Sequence, residues 1–102
     1  MRRAMRARDR VGEANPRRLV IFLPAGAVNA RVSAFTATGV LARLDGHLPP
    51  HTRFPFTLHL PRRVVSGELV RVGEGDGEAR LQFTALTPAD RAALAPFQEA
   101  DS

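Results

Sequence analysis

Phe54, Phe56, Leu58 and Leu60 alternate with Pro55, Thr57 and His59, and a period of two is the repeat of a strand with one buried and one wetted face. The same repeat runs through Val28, Ala30, Val32 and Ala34 against Asn29, Arg31 and Ser33. Arg17 to Leu23 is a short apolar run, read as a strand buried on both faces and closed by the turn Pro24, Ala25, Gly26. Gly39 marks a turn or bulge before a third strand, Val40 to Leu44, which Asp45 and Gly46 end. Pro55 places the Phe54 to Leu60 strand at an edge or puts the proline at its beginning. Val64 to Val72 and Glu78 to Thr84 flank the glycine-rich connection Gly73 to Gly77, as in a hairpin, and Gly67 bends the first of that pair.

The chain ends differently. Thr87, Pro88, Ala89 and Asp90 supply an N-cap, a proline at the first helical position and an acid in the first turn. A helix is expected over about residues 88–99, with Leu94 and Phe97 facing the sheet and Pro96 kinking or ending it. The fold class is therefore mainly β: a small six-stranded antiparallel β-barrel with a C-terminal helix. It occupies residues 17–102, and a polar arm, residues 1–16, precedes it. With 102 residues the chain makes one domain and buries one core.

Charge separates these two parts. All fifteen basic residues are arginine, and Arg2, Arg3, Arg6, Arg8, Arg10, Arg17 and Arg18 fall in the first eighteen positions. Against Asp9 and Glu13 they leave the head at +5, while the remaining residues balance to zero. Arginine presents a planar, permanent fork that pairs bidentately with phosphate and stacks on flat rings. The arm is thus suited to a phosphate or a purine. Arginines followed by Leu19 to Leu23 and small residues up to Ala30 imitate a secretory leader. The apolar run is short, however, and strand-like alternation continues directly from Val28 to Ala37. A cytoplasmic protein without a membrane span is expected.

Several chemistries lose support. No cysteine means no disulfide, no thiolate nucleophile and no cysteine-ligated metal. His47, His51 and His59 are read as solvated histidines and no metal is expected. Ser33, Ser66 and Ser102 sit in no motif that would prime a hydroxyl, so the chain is read as not an enzyme. No tyrosine or tryptophan is available to stack on exposed bases. The glycines of the Gly73 to Glu78 segment are followed by neither lysine nor helix, which removes a phosphate-cradling loop.

Arg6 and Arg10 stand four apart in the arm. Two strands then lead to Ala34, Phe35, Thr36, Ala37, Thr38, Gly39 and Val40, and the body closes with the hairpin strands and the helix. This order resembles a PilZ domain from about Arg6 to Phe97. The family's first motif is arginine, any three residues, arginine; its second is aspartate or asparagine, any residue, serine, any two, glycine. The resemblance implies that Arg6 and Arg10 grip cyclic di-GMP and that Gly39 is the motif glycine. Ala34 stands where the family has its acidic or amide contact to guanine, and Thr36 stands where it has serine. No cofactor is implied, and cyclic di-GMP is the ligand the family would take. Losing one strong hydrogen bond removes about 1.5–3 kcal/mol, roughly one to two decades of affinity. Weak or absent nucleotide binding is the expectation, with Ala34 sharing the face of Val32 and Val28 and given over to packing or an apolar partner.

The implied function is a regulatory adaptor of PilZ type, acting through a protein partner in motility, polysaccharide production or biofilm control. Phe35, between polar neighbours, is its candidate exposed contact, set against the more common reading of a phenylalanine at such a position as buried. One alternative is a working cyclic di-GMP receptor using Arg6, Arg10 and Thr36. Another is a non-specific nucleic-acid binder that uses the arm for phosphates.

Overall fold

A computed structural model describes residues 18–75 and 77–101; the arm, residues 1–16, with Arg6 and Arg10, lies outside them. Six strands form in chain order: β1 (Arg18–Leu23), β2 (Gly26–Phe35), β3 (Gly39–Leu44), β4 (Arg53–His59), β5 (Val64–Gly75) and β6 (Glu78–Leu86). One helix, α1 (Pro88–Asp101), follows. All neighbouring strands are antiparallel, and the sheet closes in the order β1, β2, β3, β6, β5, β4. The expected six-stranded barrel with a terminal helix is the fold observed. Closure answers the problem set by one-faced strands: inward residues meet one another, and each strand finds a partner on both sides.

The interior is filled by the predicted apolar faces, among them Leu19, Ile21, Val32, Phe54, Phe56, Leu58, Leu69 and Leu81. Two residues from outside the sheet complete it. Leu48, in the loop between β3 and β4, is fully buried, and its carbonyl accepts a hydrogen bond from Arg71 Nη1 at 2.8 Å. Arg71 also pairs with Glu74 through its other terminal nitrogen. Leu94 of α1 is buried as well, while α1 packs against β2 and β5.

The helix begins as its sequence requires. Thr87 Oγ1 accepts the Asp90 N–H at 3.1 Å, and the Thr87 carbonyl accepts from Arg91. Asp90 is buried and receives Arg63 Nη2 at 2.6 Å, with the Ser66 N–H at 3.4 Å. That carboxylate fixes the helix start to the entry of β5. Phe97 continues the contact, its ring 5.5 Å from that of Phe35.

Several expectations are corrected or refined. Pro96 neither ends nor interrupts α1, which runs on to Asp101; Pro96 and Ala92 are both exposed, so water can take the carbonyl that loses its donor. β1 buries one face only, because a barrel wall has an outside: Leu19 and Ile21 are enclosed while Phe22 is 43% exposed. The β5–β6 ladder extends through Gly73, Glu74 and Gly75 to Glu78, which shortens the connection; Gly77, at φ +79°, turns the chain. Pro55 lies inside β4, opposite Glu68, where the ladder with β1 has already stopped at Phe56. The irregularity expected near Gly67 falls between Glu68 and Leu69.

Candidate functional site

The segment carrying Ala34, Phe35, Thr36 and Gly39 is shaped by one extra residue. Val32 pairs with Ala42, yet Ala34 pairs with Leu41, so β2 bulges at Ser33. Ser33 Oγ donates to the Leu41 carbonyl at 3.2 Å, supplying a hydrogen bond where the ladder is irregular. The inside–outside phase shifts as a result. Val28, Ala30 and Val32 point inward before the bulge and Phe35 points inward after it, leaving Ala34 half-buried. Ala34 therefore does not share the face of Val32 and Val28, as simple alternation had placed it. Phe35 is only 2% exposed and is enclosed under Phe97. The reading of Phe35 as an exposed partner contact is overturned, because the bulge turns its ring into the core.

Beyond the bulge the backbone folds into a small loop. The Thr36 N–H donates to the Gly39 carbonyl at 2.9 Å, and the Gly39 N–H donates to Thr36 Oγ1 at 2.9 Å. The Thr38 carbonyl accepts the Phe83 N–H at 2.9 Å, and Gln98 Nε2 donates to the carbonyls of Thr36 and Ala37 at 3.1 and 3.3 Å. β6 and α1 thus clamp this loop from two directions. Glycine is required at position 39, since a Cβ there would lie 1.9 Å from the Leu81 carbonyl oxygen. Ala34, Thr36 and Gly39 are brought together on one short segment. At that segment Thr36 Oγ1 is already an acceptor and retains its hydrogen for donation, whereas Ala34 presents a methyl group.

A second region was not singled out from the sequence. Register places Arg18 of β1 opposite Arg31 of β2, and Arg31 opposite Arg43 of β3. All three are exposed, and His59 of β4 extends the line beside Arg18. They border an open concavity of about 600 Å³ with Asn29, Leu44 and Asp45. Asp45 is its only acid among the described residues, and Asp45 Oδ1 accepts the Asn29 N–H at 2.9 Å. Among the described residues, Arg18, Arg31 and Arg43 have no ion-pair partner. Period two marks Arg31 as outward-facing in the sequence, but only the register across three strands aligns it with the other two.

Elsewhere the side chains serve the fold. Arg63 and Asp90 join β5 to α1, and beside them Leu60, Pro61, Ala93 and Phe97 line an apolar groove. Among the described residues no cluster of three histidines or acids is placed to hold a metal ion. No described helix is long and apolar enough to cross a membrane. Comparison with protein-family models, with curated proteins and with solved structures found no match.

Proposed function

We propose that this chain is a non-enzymatic regulatory adaptor of PilZ type, acting in the cytoplasm through a protein partner and binding cyclic di-GMP weakly or not at all. The observation that carries the reading is the Ala34 to Gly39 segment. Its loop is fixed by β6 and α1, with Ala37 and Thr38 exposed, as a preorganised recognition loop would be. Its chemistry is depleted, because the half-buried Ala34 has neither carboxylate nor amide for a guanine edge. Thr36 and Gly39 also have structural reasons to be what they are, one as hydrogen-bond acceptor and the other by close approach to β6. Their presence is consistent with a retained scaffold as well as with a retained pocket. With Phe35 enclosed, the partner contact belongs to other outward residues.

Calorimetric titration of the full chain with cyclic di-GMP tests this. The native chain should give no low-micromolar binding, and Ala34→Asp should raise affinity by about one to two decades. Low-micromolar binding by the native chain, abolished by Arg10→Ala, would overturn the proposal in favour of a receptor using Arg6, Arg10 and Thr36. No gain in a folded Ala34→Asp variant would mean that the segment forms no nucleotide pocket.

A further inference from the structure

We infer that the outward face formed by Arg18, Arg31 and Arg43 is a docking surface for the phosphate backbone of duplex nucleic acid. The inference is independent of the nucleotide reading of Ala34 to Gly39, since it uses different side chains. Neighbouring strands lie about 4.8 Å apart, so three arginines in register span only about 10 Å at their Cα atoms. Like charges directly opposite one another across strands destabilise a sheet. Elsewhere, Arg63 has Asp90, and Arg71 has Glu74 and the Leu48 carbonyl, while Arg53 and Arg80, which have no ion-pair partner among the described residues, face no second arginine across the strands. No other register sets arginine opposite arginine among the described residues, and Asp45, the described acid bordering the row, is a single charge beside three. An external polyanion would supply the missing charge.

The shape narrows the occupant. A small ligand is held by enclosure on most of its surface, whereas this concavity is open to solvent. No aromatic side chain lines it among the described residues, which removes the stacking that single strands depend on. No element projects from it to read base edges in a groove, so the contact would be to phosphates and nearly blind to sequence. The chain also enters the row directly from its most basic segment, because Arg18 follows Arg2, Arg3, Arg6, Arg8, Arg10 and Arg17 in the sequence. Each phosphate neutralised releases counterions and steepens the salt dependence of binding.

Fluorescence anisotropy of the full chain with a short labelled duplex of arbitrary sequence, over about 50–200 mM salt, provides the test. The native chain should bind at low salt with a steep slope. Replacing Arg18, Arg31 and Arg43 together by glutamine should reduce the slope by about three and weaken low-salt binding tenfold or more, and Arg31→Gln alone should reduce it by about one. Lysine at all three positions should retain most of the slope. Arg53→Gln, on the opposite half of β4 from His59, should change nothing. Cooperative melting confirms that each variant is folded; if the triple variant is not, the single variant decides. The inference is overturned by absence of low-salt binding, or by a triple variant with the native slope. It is equally overturned if Arg53→Gln does the same damage, or if polyglutamate displaces the duplex at equal charge, which would indicate an acidic protein instead.

Discussion

Between Val28 and Val32, β2 keeps the inside–outside rhythm that its sequence displays; from Ser33 to Phe35 that rhythm is displaced by one residue. The regular half holds Arg31 outward in register with arginines on both neighbouring strands. The displaced half turns a phenylalanine inward and leaves an alanine half-buried, then folds into the Thr36 to Gly39 loop. Regular pairing therefore builds a chemical surface by adding side chains from several strands. The bulge builds one by re-aiming consecutive residues of a single strand. Both devices lie on one ten-residue element, and each makes a different demand on stability.

Breaking the displaced half should have the largest effect. Phe35→Ala removes a ring enclosed by the core and by Phe97, and should cost about 3–5 kcal/mol in urea unfolding. A cost below about 1 kcal/mol, the usual range for surface substitutions, would mean that the ring lies outside and that the bulge is misplaced. Gly39→Ala follows, because the added methyl must push the Leu81 carbonyl away and with it the β3–β6 ladder. Its expected cost is about 1–3 kcal/mol, the range of overpacked sites. A neutral Gly39→Ala would show that the strands can separate there, leaving the glycine to be explained by a ligand.

The sequence makes the order of elements legible for local reasons. Turn residues and alternation are written into neighbouring positions, so the six strands and the Thr87 cap can be read one at a time. What escapes is set by strands meeting at a distance. Nothing in Val32, Ser33 and Ala34 alone announces a bulge, because it consists of a mismatch with Ala42 and Leu41 on another strand. That mismatch takes Ala34 off the face of Val28 and Val32 and turns Phe35 inward instead of leaving it as an exposed contact. The arginine row is hidden in the same way: Arg18, Arg31 and Arg43 are thirteen and twelve residues apart and become neighbours only through two registers. Pro96 fails as a helix stop for a third reason, since its penalty depends on whether the orphaned carbonyl is buried, and here it is on an exposed turn.

The smallest effect is expected in the regular half, and its sign is the informative part. Arg31 stands between Arg18 and Arg43 without an ion-pair partner among the described residues. Replacing it by glutamine keeps the side chain as far as Cδ with a polar end and removes two like-charge contacts. Each such contact belongs to the class of cross-strand pairs worth about 0.2–1 kcal/mol, reduced here by solvent exposure. Arg31→Gln should therefore raise stability by a few tenths of a kcal/mol, read from the urea midpoint at low salt. The gain should shrink as salt rises, because charges are screened over about 10 Å at 0.1 M. Arg53→Gln supplies the comparison, since Arg53 pairs with Val70 rather than with another arginine. An equal gain at Arg53 would assign the effect to the net charge of the chain and not to the row. A gain confined to Arg31 would mean that the regular half of β2 carries a cost in the free protein, which a bound polyanion is able to reverse.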